Sequence, residues 1–167
     1  MNSPSSIRRI VLDSGPLIAL AKLDRLEILP RLFDEVLMTQ SVWRESQFQP
    51  EREDVMCIAQ AAKAGWIERT GFVDFSLEDF PVNLGAGEIS SIALALSRQC
   101  PVVLDDKSAR RVAVARSVSV TGTVGLLLHA KRRGQIDSVT LCLEKLRQQR
   151  YFISGQLVEK AKRLAGE

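Results

Sequence analysis

The residues with the most chemical promise in this 167-residue chain are acids. Asp13, Glu45, Glu88 and the adjacent Asp105 and Asp106 each follow an apolar stretch or open an amphipathic one. If the fold brings these points to one edge, several carboxylates lie within about 4–8 Å of one another and repel at a cost set by the local dielectric. A divalent cation removes that cost. Mg²⁺ or Mn²⁺ takes hard oxygen ligands, keeps several waters, and is commonly held by one or two carboxylates plus the phosphate oxygens of a substrate. An ion so placed activates water and stabilises the leaving oxygen of a phosphodiester. Each acid also has a simpler reading. An Asp or Glu at a helix start accepts backbone N–H bonds and complements the macrodipole, a role worth about 0.5–2 kcal/mol.

The elements that must position these acids can be read from the hydrophobic pattern. Ile7 to Leu12 forms a short buried strand that stops at the turn Asp13-Ser14-Gly15-Pro16, after which Leu17, Ile18, Leu20, Ala21 and Leu23 recur at helical spacing. A short apolar helix follows over Leu26 to Phe33, then a strand from Glu35 to Thr39, with Ser41 as the N-cap of a helix that holds Glu45 in its first turns. Glu51 to Lys63 suits a helix stopped by Gly65, and Trp66 to Arg69 a third strand. Residues Thr70 to Asn83 have no clear period and form an irregular connection. Gly85-Ala86-Gly87-Glu88 opens a helix with Ile89, Ile92, Ala93 and Leu96 on its buried stripe, and Glu88 in its first turn. Pro101 to Leu104 is a fourth strand, Lys107 to Arg116 a basic helix, Val118 to Val120 a fifth strand and Val124 to Arg133 a helix. Two further helices cover Asp137 to Gln149 and Ser154 to Ala165. Alternating strands and helices predict a parallel sheet covered on both faces, since parallel neighbours need helical crossovers. In such a sheet the acids share the edge beyond the strands' carboxyl ends, where open α/β sheets bind ligands.

Composition narrows the function classes. Lys and Arg total 23 against 20 Asp and Glu, a net charge of +3 that permits a polyanionic partner without requiring one. The single histidine, His129, excludes His-rich zinc sites and leaves a Ser/His/Asp triad with one candidate base. Cys57, Cys100 and Cys142 are far apart and form neither a disulfide framework nor a CxxC knuckle, which fits a reducing cytoplasm. No apolar run reaches the roughly 20 residues that cross a bilayer, and Met1 to Arg9 lacks the apolar core of a signal peptide, so no membrane association is expected. Without a repeat or linker composition, residues 1–167 are expected to form one domain.

Val11-Leu12-Asp13-Ser14-Gly15-Pro16-Leu17 resembles the opening motif of PIN-domain nucleases, and Glu45, Glu88 and Asp106 follow in the order that family uses. Three further strings, Leu84-Gly85-Ala86-Gly87-Glu88, Leu104-Asp105-Asp106-Lys107-Ser108-Ala109-Arg110 and Thr121-Gly122-Thr123-Val124-Gly125-Leu126-Leu127, resemble the prokaryotic DUF3368-like branch related to VapC-type toxin ribonucleases. The resemblance covers a core of about residues 7–135 and leaves about 136–167 as a helical extension. It implies a three-layer α/β/α sandwich around a central parallel sheet of about four to five strands, with two C-terminal helices. It also implies a Mg²⁺- or Mn²⁺-dependent endoribonuclease, the toxin of a toxin–antitoxin pair, acting as a homodimer with a small antitoxin protein as partner.

Carried over by position, Asp13, Glu88 and Asp106 are the metal ligands, with Asp105 the alternative to Asp106. Glu45 orients a ligand water or holds a second ion. Ser14, Thr121 and Thr123 support the acids or cap the helices behind them. Gly85 and Gly87 allow close packing against the acidic edge, since no Walker-type Lys-[Ser/Thr] pair follows them. Lys107, Arg110 and Arg111, with Arg116 nearby, either meet RNA phosphates or form a solvated helix face. Trp43, Trp66 and Phe72 are candidates for base stacking and equally for the core. A non-catalytic PIN-like scaffold is the alternative function, and a small-molecule phosphatase a third.

Overall fold

A computed structural model describes residues 8–71, 73–76, 80–81 and 83–167. Strands β1 (Arg9–Leu12), β2 (Glu35–Met38), β3 (Glu68–Arg69), β4 (Val102–Val103) and β5 (Val120–Thr121) form a sheet in the order β3-β2-β1-β4-β5. Every neighbouring pair is parallel. The connections are helical: α1 (Ser14–Lys22), α2 (Ile28–Leu32), α3 (Gln40–Ser46), α4 (Glu53–Lys63), α5 (Ala86–Arg98), α6 (Lys107–Ala115) and α7 (Thr123–Arg132). Two helices, α8 (Val139–Gln148) and α9 (Gly155–Ala165), follow the last strand. This is the expected α/β/α sandwich with a five-stranded parallel sheet.

Alternation along the strands builds two cores. Ile10, Leu12, Val36, Met38 and Val103 point to one face, whereas Val11, Leu37 and Val102 point to the other. The first face is covered by α1, α2, α4 and α7 through residues such as Leu17, Leu29, Ile58 and Leu127; the second by α5 and α6 through Ile89, Ile92, Ala109 and Ala113. Leu143 and Leu146 of α8, with Val158 and Ala161 of α9, enter the first core, while Leu141, Leu157 and Leu164 stay exposed. The C-terminal helices thus share the core that β1 helps to build.

Chain order determines where the cleft lies. The first strand, β1, lies in the middle of the sheet; β2 and β3 add on one side, and the chain then crosses to add β4 and β5 on the other side of β1. The direction of winding reverses between β1 and β4, and connections leaving their carboxyl ends diverge to opposite faces. The sheet's outer strands are short, two residues each in β3 and β5, and both β3 side chains, Glu68 and Arg69, are exposed.

Several boundaries differ from the sequence pattern for local reasons. The N-cap of α3 is Thr39 rather than Ser41, because the Thr39 hydroxyl accepts the Val42 N–H at 3.2 Å. The helix ends at Ser46, so Glu45 lies in its last turn and not its first. The fifth strand is Val120–Thr121, two residues later than expected, because Val118 N–H still bonds Ala113 O at the end of α6. Among the described residues no helix is long and apolar enough to cross a membrane, and the three cysteines are free.

Leu146, fully buried at 0% exposure, tests the shared core. Leu146→Ala is expected to cost about 2–5 kcal/mol and lower Tm by about 5–15 °C, against a change within about 0.5 kcal/mol for exposed Leu141→Ala, both read by thermal unfolding.

Candidate active site

Asp13 is the first residue after β1, and its backbone N–H bonds Val103 O of β4 at 3.2 Å, which places it at the point where the winding reverses. It is also the N-cap residue of α1, yet its side chain makes no capping hydrogen bond. Asp13 is 7% exposed, and among the described residues its Oδ1 has no hydrogen-bond partner. Its pKa is raised to about 7, first by burial and then by the charges of Glu45, Glu88 and Asp105, with the nearby Ser14 N–H opposing. The simple reading of Asp13 as a helix cap therefore fails.

Glu45 spans two helix starts. Its Oε2 accepts the Ser14 hydroxyl of α1 at 2.9 Å, and its Oε1 accepts the Gly87 N–H of α5 at 2.9 Å. The approach needs glycine at position 87, because a Cβ there would stand 2.8 Å from Glu45 Cδ. Behind it, the Thr39 and Ser90 hydroxyls bond at 2.8 Å in the buried seam between α3 and α5. Glu88 folds back on its own helix, accepting the Gly85 N–H at 2.9 Å. Its pKa is raised, first by partial burial and then by Asp106 and Glu45, with the Gly85 bond opposing.

The adjacent Asp105 and Asp106 are held differently. Asp106 caps α6, taking the Ala109 N–H at 2.8 Å, and its charge acts on Glu88. Asp105 reaches across to α7: Oδ1 accepts the Thr123 N–H at 2.8 Å, Oδ2 accepts the Thr123 hydroxyl at 2.6 Å, and its charge acts on Asp13. A third donor is the Tyr151 hydroxyl, 2.5 Å from Asp105 Oδ2, which arrives from the link between α8 and α9. Tyr151 carries no local sign of this role; its place depends on the docking of the C-terminal helices.

The remaining candidates divide by location. Arg110 turns inward and donates to Leu104 O at 2.9 Å beside Gly122, while Lys107 and Arg111 remain exposed on α6. The Thr121 hydroxyl faces α7, where a Cβ on Gly125 would overlap it, and does not join the acids. Arg116 stacks on Phe80 at 4.4 Å, and Arg69 on the partly buried Trp43 at 4.5 Å. Trp66 is exposed, and Phe72 lies outside the described residues. His129 packs near Phe33, its pKa lowered by burial and then by Arg132, Arg133 and Arg8.

Among the described residues no three His, Cys, Asp or Glu side chains stand together as a ready-made metal cage. The donor set suits an ion taken largely through water: one buried carboxylate oxygen without a partner, and neighbouring carboxylates whose charges bear on it. Oxygen donors of this kind suit a hard divalent cation.

A family model described as PIN domain, DUF3368, matches residues 9–167. The chain belongs to the PIN-domain family. This PIN domain is also similar to a solved structure, a PilT N-terminus domain protein from the hyperthermophilic archaeon Sulfolobus solfataricus P2, with a TM-score of 0.50 and 16% identity over 71% of this chain and 90% of that one. That likeness bears on the fold. No curated protein matches the chain. PIN domains are generally nucleases and typically use divalent metals, and the Asp13 edge of this PIN domain lies where its sheet topology puts a ligand site.

The raised pKa of Asp13 has a measurable sign. The unfolded carboxyl loses its proton near pH 4 and the folded one near pH 7, so the unfolded state binds fewer protons in between and stability falls as pH rises. In metal-free protein the contribution is complete below about pH 4 and lost by about pH 7. Thermal unfolding from pH 5 to 8 is expected to show a decline of roughly 5 °C or more that Asp13→Asn abolishes.

Proposed function

We propose that this PIN domain is a metal-dependent endoribonuclease that hydrolyses RNA phosphodiester bonds, and that it is the toxin of a toxin–antitoxin pair. The observation that carries the enzymatic reading is the buried, unpartnered Oδ1 of Asp13 at the β1/β4 crossing, with Glu45, Glu88 and Asp105 acting on it. A buried carboxylate oxygen kept there without a donor costs stability that a bound ligand would recover.

In this reading Asp13, Glu88 and one of Asp105 and Asp106 would hold Mg²⁺ or Mn²⁺, which supplies water activation and charge stabilisation at the departing 3′ oxygen. Asp106 gives one oxygen to the Ala109 N–H and faces Glu88, while Asp105, the alternative, faces Asp13 with both oxygens already hydrogen-bonded. Glu45, fixed by the Ser14 hydroxyl and the Gly87 N–H, would orient a ligand water or hold a second ion. Thr123 keeps Asp105 turned across the β4–β5 end of the cleft. Lys107 and Arg111 would take flanking RNA phosphates, and Arg110 braces the Leu104 carbonyl behind them. The toxin role, the homodimer and the small antitoxin partner rest on the resemblance to the VapC-related branch.

The scaffold alternative has one observation in its favour. Asp106 and Glu88 already serve helix N-termini, and the described residues hold no preassembled three-ligand cluster. Cleavage of a mixed single-stranded and structured RNA pool separates the two. Mg²⁺ or Mn²⁺ should support cleavage, EDTA should abolish it, and Asp13→Asn should reduce it by roughly 100-fold or more; full cleavage by Asp13→Asn would sink the nuclease reading. Gly87→Ala gives a finer test. Ala ordinarily stabilises a helix by about 1 kcal/mol relative to Gly, but here it pushes Glu45 off its seat, so turnover should fall while Tm holds or rises.

A further inference from the structure

Tyr151 is the chain's single tyrosine, and it belongs to none of the elements that carry the acids. It stands 46 residues beyond Asp105, yet its hydroxyl is 2.5 Å from Asp105 Oδ2. The tip of the ring also rests over the first turn of α1, where a Cβ on Gly15 would lie 3.5 Å from the Tyr151 oxygen. The phenol therefore sits between the two strand ends that define the cleft, touching one acid and neighbouring the other.

The placement is enforced from both sides. Arg150 adopts a left-handed conformation with φ of 60°, which ends α8 and lets Tyr151 N–H bond Leu146 O at 2.9 Å. The helix leading to it is tied to the end of α1 by Lys145 Nζ on Leu23 O at 3.2 Å and by Gln149 Nε2 on Lys22 O at 2.9 Å. Beyond it, Ile153 is buried in the first core. At the far end of the pair, the Glu167 carboxylate accepts the Ser138 hydroxyl and the Val139 and Thr140 N–H groups at 2.8 Å, and pairs with Lys131.

Tyr151 completes the set of donors that orient Asp105. It is an exposed carboxylate, and the nearby Arg110 guanidinium is committed to the Leu104 carbonyl. With Oδ1 on an amide N–H and Oδ2 on two hydroxyls, it cannot rotate without giving up hydrogen bonds to a charged acceptor. We infer that Tyr151 is a positioning residue for Asp105: the α8–α9 pair delivers a phenol that locks this carboxylate beside Asp13, so the acidic site is complete only when the C-terminal helices are docked. Burial first, then the charge of Asp105, holds the phenol well above its ordinary pKa, so it remains a donor. The inference rests on the nuclease reading only for the use to which Asp105 is put.

A single tyrosine makes the contact directly observable. In metal-free protein labelled with ¹³C at tyrosine Cζ, the one resonance should move in Asp105→Asn and stay in place in Asp106→Asn. In the cleavage assay, Tyr151→Phe keeps the ring and its packing, so Tm and the KM for RNA should hold while kcat falls roughly 10-fold. The same change made in Asp105→Asn should add little, since the two residues act as a unit. A resonance indifferent to Asp105→Asn, or losses that multiply in the double variant, would overturn the inference. Wild-type protein that cleaves no RNA with either metal overturns the nuclease reading instead, and the Asp105-dependence of the resonance then upholds or overturns the clamp alone.

Discussion

The structure depends on one consequence of parallel pairing: every strand ends, and every following helix begins, at the same edge of the sheet. Helix N-termini carry unsatisfied N–H groups and the positive end of the dipole, so this edge favours negative charge before any ligand arrives. The acids use it. Asp105 takes the first N–H of α7, Asp106 caps α6, Glu88 takes the N–H that precedes α5, and Glu45 takes one inside the first turn of α5. Four carboxylates are thereby held in place by backbone donors rather than by lysine or arginine.

Asp13 is the exception, and its isolation gives the edge its chemical character. It is the most buried of the five acids and the only one whose burial leaves an oxygen without a donor. The helix starts lower the cost of gathering the other acids, so repulsion among them does not by itself call for a cation. The unmet demand is concentrated on one atom, at the crossing between β1 and β4. A fold that keeps such an atom gives up stability at a site where binding can recover it.

Local periodicity was enough to read most of the fold. The runs Arg9 to Leu12 and Glu35 to Met38, and the stripes of α5 and α7, are set by contacts a few residues away, and they appear in the sequence as spacing. The acids at the strand ends were legible for the same reason. What escaped depends on contacts between distant segments. Thr39 displaces Ser41 as a cap because Ser90, on another helix, completes its hydrogen bonding. The different duties of Asp105 and Asp106 follow from Thr123 and Tyr151, neither of which is a sequence neighbour. Arg110 has the composition of a phosphate-binding residue, and only the close approach of β4 reveals a carbonyl waiting for it.

The brevity of the outer strands bears on how copies of the chain can meet. Two-residue edges, one of them bearing exposed Glu68 and Arg69, offer too few main-chain donors and acceptors to template another strand. Edge-to-edge pairing of the sheet is thereby disfavoured. Contacts between copies are left to side chains on the helical faces, where Leu141, Leu157 and Leu164 stand exposed, and there only a two-fold, self-complementary pairing closes at a dimer.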